Sequence, residues 1–148
     1  MAVDANGPAM GRSRRILVAD DNQVNLLLAA TMLKALGYAA QTVANGQEVI
    51  TALQDQHFDL ILMDCQMPEM DGYEATRAIR SLEVTQGGHI PIVALTANAL
   101  QEDAEKCLAA GMDAYLTKPI KKDRLGQTLS NWLSHSDNGG SHAAPPSR

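Results

Sequence analysis

Short apolar runs alternate along most of the chain with longer segments that have helical spacing. Four consecutive apolar residues occupy positions 60–63, and a carboxylate follows at once. A run of this length is too short for a buried helix and is typical of a strand covered on both faces, as in parallel sheets. Four other segments have a similar character. The predicted strands are Ile16–Ala19, Ala39–Val43, Phe58–Met63, Ile92–Leu95 and Ala114–Thr117.

The segment after the first predicted strand has the apolar spacing of a helix. Apolar positions recur there at i, i+3, i+4 and i+7, and Gly37 ends the segment as a C-terminal cap. We expect one face of this helix to be buried, with the members Asn25, Leu28, Ala29, Met32, Leu33 and Leu36. Leu26, Leu27 and Ala30 fall outside that face, so the helix carries more apolar surface than one core contact requires.

Four further helices are predicted by the same spacing. Asn45 and Gly46 open the second helix, and the third covers Gly72–Leu82. The inward residues predicted for helices two to five are Val49, Ile50 and Leu53; Ala75, Ile79 and Leu82; Leu100, Ala104, Cys107, Leu108 and Gly111; and Leu125, Leu129, Trp132 and Leu133. Because strands and helices alternate, and right-handed parallel crossovers each cover one face, the pattern predicts an α/β fold with a doubly wound five-stranded parallel sheet and five helices.

Composition predicts one globular domain with flexible ends. The 148 residues, 45% of them hydrophobic, suffice for a single sizeable core. Residues 1–13 and 135–148 are rich in small and polar residues without periodicity. We therefore predict linker-like segments there and a folded domain over residues 14–134.

Charge and hydropathy exclude several classes of function. A net charge of −5 offers no basic face for direct binding of nucleic acid. No apolar run approaches the roughly 18 residues of a membrane span, and the first residues lack the hydrophobic centre of a signal peptide, so we expect no membrane contact by this segment. Cys65 and Cys107 form no disulfide framework, which favours a reducing, cytoplasmic compartment, and Cys65 is interpreted as a packing residue.

Polar side chains stand at the ends of four predicted strands. Asp20 and Asp21 follow the first strand, Asp64 the third and Lys118 the fifth, while Thr96 ends the fourth. In a doubly wound sheet of order 2-1-3-4-5, as in flavodoxin-like folds, strands one and three are neighbours at the switch point. The three carboxylates should therefore converge there, where their repulsion favours either a proton or a cation. Oxygen ligands of this kind suit Mg²⁺.

An acidic metal site with a lysine suits phosphoryl transfer. Positioning and neutralisation of charge on the phosphoryl oxygens account for most of that chemistry, and Lys118 supplies a fixed positive charge. A carboxylate that the metal does not consume can act as the nucleophile and form an aspartyl phosphate. For Asp64 alone, capping of the following turn is the simpler interpretation.

The same positions carry a resemblance to a known family. Asp20-Asp21, the segment 64–72, Thr96-Ala97 and Lys118-Pro119 resemble the signature of response-regulator receiver domains of two-component signalling. The similarity runs from about Arg15 to Leu133. The opening Asp-Asp-Asn-x-x-Asn and the strand Ala-Leu-Thr-Ala resemble in particular the receivers of hybrid sensor histidine kinases.

The resemblance implies a role for each acidic position. Asp64 would be the phosphoacceptor, and Asp21, Asp64 and the backbone carbonyl of Gln66 would bind Mg²⁺. Asp20 would hold the waters of the metal. Lys118 would pair with Asp64 and later with a phosphoryl oxygen. The domain would catalyse its own phosphorylation and dephosphorylation, and a parent hybrid protein would be a histidine kinase.

The resemblance also implies a conformational switch. The Thr96 hydroxyl would be drawn onto a phosphoryl oxygen, and Tyr115 would turn inward to fill the space that Thr96 leaves. Helix four, strand five and helix five would form the output face. The resemblance implies that the peptide bond before Pro119 is cis, with a probability well above the roughly 5% of X-Pro bonds that are cis in folded proteins.

The partner implied is a histidine kinase or a histidine-phosphotransfer domain. The surplus residues of the first helix, Leu26, Leu27 and Ala30, suggest a docking patch for that partner, because exposed apolar clusters beside an active site commonly mark interfaces. Simple tolerance of exposed leucines is the alternative.

Three other functions stay open on the sequence. A single-domain response regulator would share every residue above. An aspartate-based phosphohydrolase would place an Asp-x-Asp after the first strand, whereas this chain has Asp20-Asp21 there. A flavodoxin-like cofactor binder would need a phosphate-cradling loop after that strand, where two acids would repel a phosphate.

Overall fold

The computed structural model describes residues 14–97 and 101–137. The predicted linker at 1–13 and most of the predicted tail, residues 138–148, lie outside these ranges. Residues 135–137 continue the last helix, which ends at Asp137, so the predicted domain boundary at 134 falls inside a helix. No helix in the described ranges combines the length and the apolar character that crossing a bilayer requires.

Five parallel strands form one sheet within the described ranges. They are β1 (Arg15–Ala19), β2 (Ala39–Val43), β3 (Leu60–Asp64), β4 (Ile92–Thr96) and β5 (Ala114–Thr117). The order β2-β1-β3-β4-β5 confirms the predicted doubly wound sheet. β3 begins after Phe58, where the prediction began, and it includes Asp64, so the acid belongs to the strand itself.

Five helices connect the strands. They are α1 (Gln23–Ala35), α2 (Gly46–Asp55), α3 (Gly72–Gln86), α4 (Gln101–Ala110) and α5 (Lys122–Asp137). The Asn22 side chain accepts hydrogen bonds from two backbone N–H groups of the first turn of α1. Asp71 and Glu74 form a reciprocal capping box at the start of α3. These caps fix the points at which α1 and α3 begin, shortly after the acidic ends of β1 and β3.

The sheet separates two apolar layers, as a parallel sheet with helices on both faces requires. All five residues of β3 are buried. One layer includes Leu17, Ile61, Val49, Ile79 and Cys107, and the other includes Ile16, Leu62, Leu33, Leu125 and Leu129. Burial of each large aliphatic side chain contributes about 1.5–3 kcal/mol, so these layers hold the strand ends in place.

The buried face of α1 differs from the predicted one. Leu26 is only 6% exposed and packs in the core with Ala29 and Leu33, whereas Leu28 is 52% exposed. The prediction of Leu28 as inward and Leu26 as outward was therefore wrong. Most positions between 24 and 36 are apolar, so spacing alone permits two buried faces, and packing against the sheet selects one of them.

Two other predicted core residues lie at the surface. Leu108 is 60% exposed and Leu82 is 36% exposed. Cys107 takes the inward position of α4, and successive helical residues point about 100° apart, which turns Leu108 away. α3 continues past its predicted end to Gln86, and Leu82 lies in its exposed final turns. Leu100, also predicted to point inward, lies outside the described residues.

Candidate functional site

The register of the sheet brings polar strand ends to one edge. β1 and β3 pair through Ala19 and Met63, so Asp20 and Asp64 follow at neighbouring positions. β5 pairs with β4, which places Lys118 beside the end of β4. Because all five strands in the described ranges run parallel, their carboxyl ends share this edge, where ligands of open α/β sheets bind.

Three carboxylates meet at this edge. One oxygen each of Asp20, Asp21 and Asp64 lies within 4.8 Å of the others. Asp20 is 1% exposed and Asp64 is 4% exposed, while Asp21 is open to solvent. Two of the three negative charges are thus buried close together.

Local hydrogen bonds orient Asp20. Its Oδ1 accepts from the backbone N–H of Asn22 at 2.9 Å, and its Oδ2 accepts from the side-chain amide of Asn25 at 3.2 Å. Asn25 was predicted to face the core, but it is only half-buried and contacts the site instead. The first turn of α1 and its cap therefore fix the position of the Asp20 carboxylate, which directly follows β1.

Lys118 joins the two buried acids. Its Nζ lies 3.1 Å from Oδ1 of Asp64 and 3.3 Å from Oδ2 of Asp20. Burial raises the pKa of the Asp64 carboxyl above its usual value, and the charge of Asp20 adds to the rise against the opposing effect of Lys118. Burial lowers the pKa of Lys118, but Asp64 and Asp20 outweigh it, so the net pKa is raised. One lysine thus leaves negative charge at the site uncompensated.

This donor set fits a hard divalent cation. The three carboxylates offer oxygen ligands, which Mg²⁺ prefers, and a divalent charge would relieve their repulsion. Gln66, whose carbonyl is a predicted ligand, lines the same cleft, and its N–H donates to Oδ1 of Asp64 at 3.3 Å. Asp20, Asp21, Asp64 and Gln66 are therefore brought together as a candidate metal site.

Gly72 allows α3 to begin against the backbone of Asp64. A Cβ at Gly72 would lie 2.2 Å from the Asp64 carbonyl oxygen, a distance that no side chain tolerates. The Gly72 N–H donates to the carbonyl of Cys65 at 3.1 Å. Glycine is therefore required for this close approach, which fixes the loop between β3 and α3.

An open cleft of about 620 Å³ lies over the carboxylates. The start of α1 contributes Asn22 and Asn25, α3 contributes Tyr73 and α4 contributes Lys106. Tyr73 and Lys106 were not among the predicted site residues. Neither residue type marks a site by itself, and only the packing of α3 and α4 shows that both side chains reach the cleft.

The predicted switch residues lie at different depths. Thr96 is 6% exposed and lines the cleft, whereas Tyr115, on β5, is 40% exposed. The peptide bond between Lys118 and Pro119 is cis. The roles of Thr96 and Tyr115 in a switch stay predictions.

The predicted docking patch on α1 needs correction. Leu26 is buried in the core and cannot contact a partner, because sheet packing turns it inward. Leu27 is 68% exposed and Ala30 is half-buried. Val24 and Leu28, absent from the prediction, are 64% and 52% exposed. The large exposed apolar side chains of α1 are therefore Val24, Leu27 and Leu28, next to the part of α1 that lines the cleft.

The two cysteines contact each other below the cleft. Cys65 is 4% exposed and Cys107 is 1% exposed, and their sulfur atoms lie 3.9 Å apart. The hydrogen bond with Cys107 and then burial raise the pKa of the Cys65 thiol. A thiol with a raised pKa is a poor nucleophile, which agrees with the packing role predicted for Cys65.

Comparisons with known proteins agree on one family. Residues 16–130 match the family model of the response regulator receiver domain. The Sensor protein GacS of Pseudomonas syringae pv. syringae is 45% identical over 130 residues, which cover 87% of this chain and 14% of that protein. The Probable histidine kinase 1 of Oryza sativa subsp. indica is 40% identical over 148 residues, covering 80% and 15%. The chain thus spans about one seventh of the length of these curated relatives.

Solved structures give the same result. The receiver domain of the sensor histidine kinase PA1611 from Pseudomonas aeruginosa PAO1, crystallised with a magnesium ion coordinated in its active-site cleft, is 46% identical with a TM-score of 0.75. The match covers 83% of this chain and 99% of that one. A co-crystal structure of the Saccharomyces cerevisiae phosphotransfer protein Ypd1 with the receiver domain of Ssk1 contains a chain with a TM-score of 0.80 and 30% identity, covering 84% and 91%.

Proposed function

Since this chain belongs to the response-regulator receiver domain family, we propose that Asp64 accepts a phosphoryl group from a phosphohistidine. One observation carries the proposal. The Asp64 carboxylate lies in a cleft, within 4.8 Å of two other carboxylates and 3.1 Å from the ammonium of Lys118. This geometry provides a nucleophile, a metal site and a fixed positive charge at one point.

The residues divide the transfer reaction between them. An oxygen of Asp64 attacks phosphorus, and the bond between phosphorus and the histidine nitrogen of the donor breaks, so an aspartyl phosphate forms. Lys118, already in contact with Asp64, can follow a phosphoryl oxygen as charge moves onto it. Thr96 lines the cleft and can donate its hydroxyl to another oxygen.

We propose Mg²⁺ as the cofactor. The PA1611 receiver domain holds a magnesium ion in its cleft, and this chain has a fitting oxygen donor set in Asp20, Asp21, Asp64 and Gln66. When bound, the ion would neutralise part of the charge on the phosphoryl oxygens. Asp20 can orient metal-bound water, because its own position is fixed by Asn22 and Asn25.

The proposed response is a change at the face formed by α4, β5 and α5. A phosphoryl group brings about −1.5 to −2 charges to a site bounded by buried groups. Movement of Thr96 toward that charge would vacate space beside β5, which the exposed Tyr115 could enter. A two-state rearrangement of this kind would transmit phosphorylation to a surface.

The proposed donor is a histidine-phosphotransfer domain or a histidine kinase. The complex of Ypd1 with the Ssk1 receiver shows such a pairing in a related structure. Val24, Leu27 and Leu28 form an apolar surface next to the cleft, where a helical partner could bring its phosphohistidine to Asp64. We propose that the chain is the receiver segment of a cytoplasmic portion of a hybrid histidine kinase, because the curated relatives include the Hybrid signal transduction histidine kinase B of Dictyostelium discoideum. A single-domain regulator is the alternative.

Incubation with acetyl phosphate and Mg²⁺, followed by intact-mass measurement, tests the proposal. The expected result is one adduct of about 80 Da, the mass of a phosphoryl group, that requires Mg²⁺ and is absent after chelation with EDTA. Absence of the adduct in the presence of Mg²⁺ as well as after chelation would contradict the proposal. Continuous release of phosphate from an unrelated phosphate ester would instead favour a phosphohydrolase.

A further inference from the structure

Two lysines line the cleft, and they are held in different ways. Lys118 contacts two carboxylates at the floor of the cleft. Lys106 comes from α4, is exposed, and places its Nζ 5.7 Å from the centroid of the Tyr73 ring. A cation at this distance from an aromatic face is attracted to it, so Tyr73 favours a position of Lys106 at the rim of the cleft.

The surroundings of Lys106 and Tyr73 are tied to the chain around Asp64. Tyr73 follows Gly72, which lies against the Asp64 carbonyl so closely that no Cβ fits. Cys107, the next residue after Lys106, is buried with its sulfur 3.9 Å from that of Cys65. The two elements that carry Lys106 and Tyr73 are therefore both anchored beside the proposed phosphoacceptor.

The balance of charges in the cleft indicates a role for Lys106. Three carboxylates lie at the floor, and together a divalent cation and Lys118 would balance them. With a divalent ion bound, the floor of the cleft would be formally neutral, and Lys106 would add a positive charge at the rim. A phosphodonor arrives as an anion, so Lys106 at the rim would attract it before it reaches the groups at the floor.

We propose that Lys106 is a specificity-determining residue that recruits anionic phosphodonors to the cleft. This inference rests on the proposed phosphoacceptor function of Asp64. Lys106 increases the rate at which a donor phosphoryl group enters, and it favours donors with greater negative charge. Lys118 stabilises charge at the floor, so the two lysines act at different stages of the same transfer.

The substitution Lys106→Gln tests the proposal with small donors. The second-order rate constant for phosphorylation by acetyl phosphate, a dianion, should fall about 3- to 10-fold at low salt and less than about 2-fold at 0.5 M salt, because screening removes the attraction. Phosphoramidate, which carries less negative charge, should lose less. Lys106→Arg should restore most of the rate. Lys34→Gln, which removes the same charge from the exposed last turn of α1, is the matched control and should match the wild type.

The affinity for Mg²⁺ is an equilibrium measurement that should increase in Lys106→Gln, whereas the rate of phosphorylation should decrease. Removal of a nearby positive charge should tighten Mg²⁺ binding by about 1.5- to 3-fold, measured by calorimetry without any phosphodonor. Structural damage would instead weaken both metal binding and phosphorylation. The combination of slower phosphorylation and tighter metal binding is therefore specific to an electrostatic role.

Two outcomes would overturn the inference. One is an unchanged rate for Lys106→Gln at low salt while the wild type is phosphorylated normally. The other is a loss that persists at 0.5 M salt, or that Lys34→Gln reproduces. If the wild type itself takes up no phosphoryl group, the proposed function fails and the inference fails with it, so the two failures are distinguishable.

Discussion

The two ends of the sheet both carry clusters of charged side chains, and they use them differently. At the amino ends of β4 and β5, Arg80 contacts Glu83 at 2.8 Å and Asp113 at 2.7 Å. At the carboxyl ends, Lys118 contacts Asp20 and Asp64, and Asp21 adds a third carboxylate within 4.8 Å of them. Both carboxylates of the first cluster contact its guanidinium, whereas the second cluster has three carboxylates and one lysine.

Hydrogen bonding sharpens the contrast. Arg80 also donates to the carbonyl oxygens of Gly111 and Ile90, both at 2.9 Å. Asp113 accepts from the backbone of Ile92 at 2.8 Å and lies 2.7 Å from His89. The Arg80 cluster therefore joins α3, the start of β4 and the α4–β5 loop, and each of its charged groups is hydrogen-bonded. At the other end three carboxylates outnumber one lysine, which favours a divalent cation beside the nucleophile, the arrangement that a phosphoacceptor site needs.

The largest expected effect is the complete loss of phosphorylation in Asp64→Asn. An amide cannot form the acyl phosphate, so intact-mass measurement after treatment with acetyl phosphate and Mg²⁺ should show no adduct. The free energy of unfolding without metal should be unchanged or higher, because a buried negative charge is removed. Normal adduct formation by this variant would remove Asp64 from its proposed role.

The substitution Arg80→Met should affect stability and leave phosphorylation intact. Loss of the guanidinium would remove the arginine that contacts Glu83 and Asp113, which are largely buried, so the free energy of unfolding should fall by about 2–4 kcal/mol. Urea denaturation measures this change. Arg77→Met, on an exposed position of the same helix, is the control and should change stability by less than about 0.5 kcal/mol. Equal effects of the two substitutions would contradict the structural role of the cluster.

Leu26 and Leu27 are adjacent in α1, and their substitutions should separate an effect on stability from an effect on phosphotransfer. Leu27→Asp should slow transfer from a phosphorylated histidine-phosphotransfer domain by about 5- to 30-fold, since an exposed apolar contact worth roughly 1–2 kcal/mol is lost. Phosphorylation by acetyl phosphate should not change. Leu26→Ala should instead lower stability by about 2–3 kcal/mol, because Leu26 is buried. If Leu27→Asp slows both donors equally, α1 is not a docking surface.

The smallest expected effect is a pH dependence of stability without metal. Burial raises the folded-state pKa of Asp64 above its unfolded value near 3.8, with a further rise from Asp20. The contribution of Asp64 is therefore most favourable below the unfolded pKa and is lost as pH increases through the folded pKa. As pH increases from the unfolded pKa to beyond the folded pKa, the unfolding free energy of the wild type should fall relative to that of Asp64→Asn. A relative increase over the same interval would show that the pKa is lowered instead.

The strand ends were predictable from sequence because local chemistry determines them. An apolar run that stops at an acid defines both the strand and the position of its carboxylate, and parallel pairing then brings Asp20 and Asp64 together. No tertiary information was needed for that step. The alternation of strands and helices predicts a parallel sheet, and the order 2-1-3-4-5 assumed for it, one of the common doubly wound orders, is confirmed.

The buried face of α1 was less predictable, because α1 carries more apolar residues than one buried face requires. In α1, spacing permitted either Leu26 or Leu28 to face the core, and only packing against the sheet selected Leu26. The positions of Tyr73 and Lys106 at the cleft depend on how α3 and α4 pack together, which spacing within one helix does not encode. The Arg80 cluster likewise joins residues that are distant in sequence.

Chemical identification of the phosphorylated residue tests the central claim most directly. Reduction of the phosphorylated protein with borohydride converts an aspartyl phosphate to homoserine, which peptide mass spectrometry can locate. We predict homoserine at position 64, and at neither Asp20 nor Asp21, in protein treated with acetyl phosphate and Mg²⁺. Homoserine at position 20 or 21, or none at all in protein that carries the adduct, would contradict the assignment of Asp64 as the phosphoacceptor.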